Sequence, residues 1–171
     1  KINLKNNIPP ILNYELSNQI QRKLTYKLTK DQLTALQDIK YDLSLKKQMY
    51  RLLQGDVGSG KTIVALLTIA DVIKNGFQVV LMAPTEILAN QHFKTIESFL
   101  KPLGVHIYLL TGSVKKSDRR VIHESLENGS LDILVGTHAL LEDKVKFKNL
   151  GLAIIDEQHR FGVAQRAQQF K

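Results

Sequence analysis

A glycine-rich segment between an apolar strand and an apolar helix constrains the fold of this chain more than any other feature. Residues 55–62 read GDVGSGKT, after an apolar run at residues 50–54 and before a helical stretch at residues 61–74. In this context the pattern is typical of a P-loop, whose glycines let backbone N–H groups surround phosphate oxygens at the start of a helix. The sequence therefore predicts an α/β fold built around a nucleotide site.

Short apolar runs alternate with helical stretches along the rest of the chain. Further strands are predicted at residues 78–83, 105–110, 131–135 and 152–155, and further helices at residues 85–100 and 116–128. Three glycines are suited to end elements of this pattern, namely Gly76, Gly104 and Gly129. Alternation of this kind predicts a mostly parallel sheet with helices on both faces, and functional residues beyond the carboxyl ends of its strands.

The first part of the chain is predicted to form a connection followed by a capped helix. We expect residues 1–25 to be a connecting helix or linker, and residues 26–171 to be an ATP-binding domain. The connection has apolar residues at helical spacing, which are Leu12, Leu16, Ile20 and Leu24. Thr29 is suited to cap the next helix, whose apolar face is predicted to hold Leu33, Leu36, Ile39 and Leu43.

The charge of the chain favours a polyanionic partner. There are 24 Lys+Arg against 16 Asp+Glu, which gives a formal net charge of +8 over 171 residues. Such a balance suits a nucleic acid, although lysine-rich surfaces also occur on proteins that bind none. The absence of cysteine excludes disulfides and thiolate metal sites, and no apolar run approaches the roughly 20 residues that cross a bilayer. We therefore expect no membrane partner.

An acidic pair after the last apolar strand supplies the second half of the predicted nucleotide site. Lys61 is expected to reach the β and γ phosphates of ATP, while the Thr62 hydroxyl and Asp156 are expected to hold Mg²⁺. Glu157 is expected to orient the attacking water, which favours hydrolysis over transfer to a metabolite. Two neighbours are suited to sense the γ-phosphate, Gln158 and His159. The predicted nucleotide-binding loop consists of Gly55, Asp56, Val57, Gly58, Ser59, Gly60, Lys61 and Thr62.

Four segments together resemble superfamily 2 helicases and, among them, the RecG family. They are GDVGSGKT at residues 55–62, APTEILANQH at residues 83–92, VGTHALL at residues 135–141 and DEQHRFGVAQR at residues 156–166. The similarity extends over residues 26–170 and implies a RecA-like P-loop NTPase domain. The Thr/Ser-Ala-Thr segment that this family has after DEQH is missing, so we expect the domain to be incomplete at its C-terminus. If the fold follows the family, the missing strand leaves a gap between the P-loop strand and the DEQH strand.

The resemblance also assigns residues to adenine and to DNA. In this family an aromatic ring stacks on adenine and a glutamine reads its edge, in a segment that corresponds to Tyr26, Leu28, Thr29 and Gln32. The family more often has Phe at the aromatic position, and tyrosine keeps the ability to stack. DNA backbone contacts are implied at three strand ends, by Pro84, Thr85, Thr111, Gly112, Gly136, Thr137 and His138. Without the resemblance these would be ordinary turn residues, although the start of a helix does bind phosphate.

The function implied by the resemblance is that of the ATP-binding and hydrolysing lobe of a double-stranded DNA translocase or helicase. We expect it to act on branched DNA in repair and recombination, in the bacterial cytoplasm and within a monomeric parent protein. A second RecA-like lobe and an N-terminal wedge domain are the expected partners, and this lobe alone is expected to be nearly inactive. The alternatives are a lobe of a transcription-repair coupling translocase or of a primosomal helicase, and a nucleotide-dependent binding module without useful turnover.

The remaining histidines and a basic cluster have less specific assignments. His92, His106 and His123 are expected to have surface or packing roles. The basic cluster is either a solvated helix face or a surface that faces DNA, and it consists of Lys115, Lys116, Arg119 and Arg120.

Overall fold

The computed structural model describes residues 11–44, 49–54, 61–137 and 145–157. Its helices are α1 (Glu15–Lys23), α2 (Lys30–Ser44), α3 (Lys61–Lys74), α4 (Glu86–Leu100) and α5 (Lys116–Asn128). Its strands are β1 (Met49–Gln54), β2 (Gln78–Met82), β3 (Ile107–Leu110), β4 (Ile133–Gly136) and β5 (Leu150–Glu157). The elements alternate as predicted, and α3 and α5 have the predicted bounds. None of the helices in this described part of the chain has the length and hydrophobicity that a membrane span requires.

The five strands form one sheet in the order β1-β5-β2-β4-β3, and every pairing between neighbours is parallel. This arrangement confirms the predicted α/β class with a parallel sheet. Because all five strands run in the same direction, their carboxyl ends lie along one edge of the sheet. Ligands of open parallel sheets bind at that edge, so the site is expected there.

The predicted gap in the sheet is wrong. β1 pairs with β5 along its whole length, from Met49 opposite Leu152 to Gln54 opposite Glu157. A gap between the two strands would leave backbone N–H and C=O groups without hydrogen bonds, whereas direct pairing satisfies them. The acidic pair at the end of β5 is therefore delivered beside the strand that leads into the glycine-rich segment.

Helices cover both faces of the sheet, as predicted. Along β2, Val79 and Leu81 belong to one hydrophobic cluster, while Val80 and Met82 belong to another. Alternate side chains of a strand point to opposite faces, so the two clusters lie on the two sides of the sheet. The first cluster contains buried residues of α3 and α4, and the second contains buried residues of α5.

Local signals in the sequence set the ends of several elements. Gly76, Gly104 and Gly129 have positive φ angles of 88°, 84° and 84°, in the left-handed region that favours glycine and ends helices. The predicted cap of α2 also forms, because the Gln32 N–H donates to Thr29 Oγ1 at 3.2 Å and the Thr29 N–H donates to Gln32 Oε1 at 2.8 Å. This reciprocal pair is a capping box.

The N-terminal helix packs against α3. Leu16 and Ile20 of α1 are buried in the same cluster as the buried residues of α3. The approach to the helix is held by Asn75, whose Oδ1 accepts the Leu12 and Asn13 N–H groups at 3.3 and 3.2 Å. Leu12 precedes the helix and is 63% exposed, so the prediction that it belongs to the helical spacing of Leu16 and Ile20 is wrong. The domain boundary predicted after residue 25 stays a prediction.

A buried carboxylate lies at the contact between α3 and the two N-terminal helices. Asp71 of α3 is fully buried, and neither of its oxygens has a hydrogen-bond partner among the described residues. Burial raises the pKa of Asp71 from 3.8 to about 6, against the opposing effects of the nearby Ser17 hydroxyl and the Lys40 ammonium group. The Ser17 hydroxyl itself donates to the Tyr14 carbonyl oxygen at 3.0 Å. Asp71 is therefore buried with little compensation for its charge.

Candidate nucleotide and nucleic-acid site

The two strands that lead to the halves of the predicted nucleotide site end side by side at the carboxyl edge of the sheet. Leu53 is opposite Asp156 and Gln54 is opposite Glu157 in the pairing of β1 with β5. Neighbouring strands lie about 4.8 Å apart, so the end of β1, which the glycine-rich segment follows in the sequence, lies beside the end of β5. Lys61 is the first residue of α3 and Glu157 is the last residue of β5. The strand that precedes the glycine-rich segment in the sequence and the strand that carries the acidic pair are thus neighbours in the sheet.

Part of the predicted site lies outside the described residues. These residues are Gly55, Asp56, Val57, Gly58, Ser59 and Gly60 of the loop, together with His138, Gln158 and His159. Their roles stay predictions.

Asp156 is held by a residue that sequence reasoning missed. The Asp156 side chain is 3% exposed, and the 5% exposed His92 of α4 donates from Nε2 to Asp156 Oδ2 at 2.6 Å. A carboxylate oxygen accepts hydrogen bonds, so the contact corresponds to the imidazole tautomer that has a hydrogen on Nε2. A buried polar group is tolerated when a hydrogen bond compensates its loss of water. His92 is buried, as a packing role requires, but it also contacts the predicted metal-binding carboxylate.

The sequence of α4 contains a signal for the burial of His92 but not for its partner. The buried residues of the helix recur at helical spacing and are Ala89, His92, Ile96 and Leu100. A polar side chain on such a face needs a hydrogen-bond partner inside the protein. Asp156 is 64 positions away in the sequence, so periodicity within one helix does not identify it.

Asp156 and Thr62 are suited to hold Mg²⁺ together with nucleotide phosphates. Thr62 is half-buried in the first turn of α3, and Asp156 lies near the end of β5. Magnesium in phosphate-transfer sites usually takes one or two carboxylates, with phosphate oxygens and water as further ligands. Within residues 11–44, 49–54, 61–137 and 145–157, no three His, Cys, Asp or Glu side chains form a metal-binding group. One carboxylate and one hydroxyl fit a metal whose remaining ligands are phosphate oxygens and water.

Tyr26 and Leu28 line a surface cavity of about 590 Å³. The Tyr26 side chain is exposed, so its ring is accessible for the stacking that the resemblance implies. The other two predicted adenine contacts, Thr29 and Gln32, are held in the capping box of α2 and are not among the lining residues of this cavity. A base that donated to Gln32 Oε1 would share that oxygen with the Thr29 N–H, since an amide oxygen can accept two hydrogen bonds.

The segments predicted to contact the DNA backbone follow three neighbouring strands. β4 lies between β2 and β3, with Met82 and Leu110 each opposite Gly136. The predicted contacts in the described part of the chain are Pro84, Thr85, Thr111, Gly112, Gly136 and Thr137. They all lie at or just beyond the carboxyl ends of their strands, on the same edge of the sheet as the ends of β1 and β5. One edge therefore combines the predicted nucleotide elements with the predicted DNA elements.

Thr85 begins α4 as its N-cap. Its Oγ1 accepts the Leu88 N–H at 3.2 Å, while its backbone is extended. Thr85 is exposed, and the start of the 15-residue helix that it caps carries partial positive charge. This geometry suits the backbone phosphate contact that the resemblance implies.

The loop after β3 is tied to the first residue of α4. Glu86 Oε1 accepts hydrogen bonds from the Thr111 hydroxyl at 3.2 Å and from the Ser113 hydroxyl at 2.5 Å. Thr111 is buried, whereas Gly112 and Ser113 are exposed. The Thr111 side chain therefore supports the loop from within, and the exposed residues form its surface.

Arg119 holds the same loop from the side of α5. Its guanidinium group donates to the carbonyl oxygens of Thr111, Gly112 and Val114 at 3.3, 3.1 and 3.1 Å. The next residue, Arg120, instead forms an exposed pair with Glu124 at 3.2 Å. Arg120 thus lies on a solvated helix face, whereas Arg119 has a structural role that the sequence did not predict.

Comparison with known proteins identifies the family. The model of the DEAD/DEAH box helicase family matches residues 18–171, and the chain therefore belongs to that family. It is 57% identical over 144 residues to the ATP-dependent DNA helicase RecG of Aquifex aeolicus, an alignment that covers 84% of this chain. It is 51% identical over 160 residues to the ATP-dependent DNA helicase RecG of Thermotoga maritima, which covers 93% of this chain.

A solved structure of RecG bound to a three-way DNA junction is similar as well. It has a TM-score of 0.82 and 46% identity to this chain, and covers 91% of it. These similarities confirm the predicted RecG-type helicase domain. A structure of the helicase MrfA bound to DNA and AMPPNP, at 14% identity and a TM-score of 0.55, shows the fold alone.

The chain spans about a fifth of the length of these RecG proteins. The shares are 18% and 20% of the Aquifex and Thermotoga relatives, and 21% of the chain in the junction complex. The similarity therefore concerns the helicase domain, and the activities of the whole relatives are properties of those longer proteins.

Proposed function

We propose that this chain is the ATP-binding and hydrolysing lobe of a double-stranded DNA translocase or helicase that acts on branched DNA in repair and recombination. The observation that carries the proposal is the shared carboxyl edge of the sheet. There β1 and β5 end side by side at the two nucleotide segments, and β2, β4 and β3 end in segments suited to phosphate. The RecG relatives are named ATP-dependent DNA helicases, and one RecG structure is bound to a three-way junction, which supports branched DNA as the substrate.

In the proposed reaction, side chains at this edge bind ATP and orient water. Lys61 neutralises the β and γ phosphates, and Thr62 and Asp156 hold the metal. When bound, Mg²⁺ neutralises negative charge on the phosphate oxygens. Glu157 orients the attacking water and accepts its proton. Tyr26 stacks on the adenine ring.

The DNA contacts of the proposed motor are to the phosphate backbone. Thr85, Gly112 and Thr137 are half-buried or exposed at the ends of β2, β3 and β4. Backbone contacts position a protein on DNA without reading its sequence, which suits a motor that moves along any duplex.

A second RecA-like lobe is part of the proposal. In related NTPases an arginine supplied from a separate domain or protein is worth about 10³ to 10⁵ in rate. We therefore propose that the chain binds ATP by itself but needs a second lobe for fast hydrolysis.

ATPase measurements on a full-length protein that carries this chain test the proposed function. Steady-state rates are compared without DNA, with a linear duplex and with a forked duplex. We expect forked DNA to raise kcat the most, and Lys61→Ala to abolish both the basal and the stimulated rate. Lys74→Ala is the matched control, because Lys74 lies at the other end of α3 and pairs with Glu15 near the surface. Its kcat should be unchanged.

The outcomes separate the proposal from its alternatives. Hydrolysis that DNA does not change would refute a motor and would favour the nucleotide-dependent binding module. Equal stimulation by linear and forked duplexes would refute branched DNA as the preferred substrate, while the assignment of an ATPase lobe would stand.

A further inference from the structure

The contact between His92 and Asp156 joins α4 to the end of β5. Both side chains are almost completely buried, and the distance between His92 Nε2 and Asp156 Oδ2 is 2.6 Å. A short hydrogen bond to one carboxylate oxygen restricts rotation of the carboxylate, and so fixes the direction of the other oxygen. The position of α4 therefore controls the orientation of the carboxylate that the proposed function assigns to the metal.

The first turn of α4 is joined to the predicted DNA contacts. Thr85 caps the helix directly after β2. Glu86, the next residue, accepts hydrogen bonds from the hydroxyls of Thr111 and Ser113 in the loop after β3. A shift of either loop is therefore transmitted to the first turn of the helix.

α4 is suited to transmit such a shift over its length. Glu86 and His92 are six positions apart, a distance of about 9 Å along a helix axis at 1.5 Å per residue. Beyond His92, the helix buries Ile96 and Leu100 in the core. A helix with continuous backbone hydrogen bonds moves as a rigid element over this distance, so that His92 moves with Glu86.

We propose that α4 couples the DNA-backbone contacts to the metal-binding carboxylate, with His92 as the positioning residue for Asp156 and Glu86 as the anchor to the DNA-facing loop. The inference rests on the proposed function, because it takes Asp156 as the metal ligand. The proposal differs from a purely structural role, in which His92 only compensates the burial of Asp156 and changes stability but not metal-dependent nucleotide binding.

Binding of a fluorescent ATP analogue to the full 171-residue chain tests the positioning role. Kd is measured in excess Mg²⁺ and again in EDTA, and the ratio of the two values gives the enhancement by magnesium. Replacement of residues that orient metal ligands typically costs about 10- to 100-fold in metal affinity. We therefore expect His92→Leu to reduce the enhancement at least about tenfold, with Kd in EDTA unchanged.

Two further variants isolate the hydrogen bond. His92→Gln keeps an amide N–H donor at a similar reach and should restore most of the enhancement. Ile96→Ala removes apolar contacts one turn along the same buried face and should lower the melting temperature without a change in the enhancement. Should His92→Leu melt below the assay temperature, His92→Asn, whose amide is on a shorter side chain, is expected to show the same loss.

The coupling itself is tested by its reciprocity. In a full-length protein that carries this chain, forked DNA should tighten Mg²⁺-dependent nucleotide binding by some factor, and by linkage nucleotide should tighten DNA binding by the same factor. His92→Leu and Glu86→Ala should both reduce this factor towards one, whereas Ile96→Ala should retain it.

Failure of this inference is distinguishable from failure of the proposed function. If Lys61→Ala abolishes nucleotide binding but His92→Leu leaves the magnesium enhancement unchanged, the positioning role is overturned and the ATP site stands. If the Lys61→Ala variant binds nucleotide as tightly as the unaltered chain, the proposed function fails and the inference fails with it.

Discussion

Replacement of Asp71 by asparagine should stabilise the protein at neutral pH. The Asp71 carboxyl group is fully buried, and its pKa is raised from 3.8 to about 6 because it is buried. One pKa unit corresponds to about 1.4 kcal/mol, so ionisation of the buried group lowers the free energy of unfolding by about 3 kcal/mol. Asparagine is nearly isosteric and uncharged, and therefore resembles the protonated carboxyl group.

The sign of the pH dependence follows from proton linkage. The folded state binds the Asp71 proton more tightly than the unfolded state, so its contribution to stability falls as pH rises from about 4 to about 6. Below that window both states are protonated, and above it the full penalty applies. Asp71→Asn removes this dependence. The free energy of unfolding of the variant should therefore be about 3 kcal/mol higher than that of the unaltered protein at neutral pH, and the two values should match near pH 4.

Urea unfolding followed by circular dichroism over a pH series measures the effect. Asp38→Asn is the matched control, because Asp38 is an exposed carboxylate on α2, and surface substitutions usually change stability by less than about 0.5 kcal/mol. A difference between Asp71→Asn and the unaltered protein that stayed constant between pH 4 and neutral pH would refute the reasoning. So would a loss of stability in the variant at neutral pH.

Three further substitutions have predictable results. Thr85→Ala removes the N-cap of α4 and should lower the free energy of unfolding, measured in urea, by about 1 kcal/mol. Thr85→Ser keeps a hydroxyl cap and should restore it. Equal stability of the unaltered protein and both variants would contradict a capping role for Thr85. Gly151→Ala places a Cβ 2.6 Å from the Phe77 Cβ and should destabilise by about 1 to 3 kcal/mol, which an unchanged Tm would disprove. Arg119→Ala removes donors to three loop carbonyls and should weaken duplex DNA binding at fixed salt. Arg120→Ala removes only one exposed ion pair, so its DNA binding should be unchanged. Equal effects of the two arginine substitutions would count against a structural role for Arg119.

The sequence predicts the elements of this fold well because their signals are local. The helix at 61–74 lies between the glycine-rich segment and Gly76, and the helix at 116–128 ends before Gly129. Periodicity and left-handed glycines depend on neighbouring residues alone. The parallel arrangement then follows from the alternation of strands and helices.

The direct pairing of β1 with β5 was not predictable in the same way. The expected gap came from the resemblance to a family whose domain has a further strand, and not from the residues of this chain. Hydrogen bonding between the two strands depends on which strands are present to pair, and a pattern read along one segment does not contain that information.

The contacts of buried polar residues were also missed. Asp71 has apolar neighbours on both sides in α3, and His92 shares a helix face with Ala89 and Ile96. In each case the spacing of apolar residues in the same helix indicates that the polar side chain is buried. The partner of His92 belongs to a different element, so only the packing of α4 on the sheet reveals it.

A crystal structure of this chain with Mg²⁺ and a non-hydrolysable ATP analogue tests the nucleotide site most directly. We expect the triphosphate at the carboxyl edge of the sheet, where β1 and β5 end, with the metal on the side of Asp156 and Thr62. A nucleotide bound elsewhere, for example at the end of β3, would contradict the proposed site.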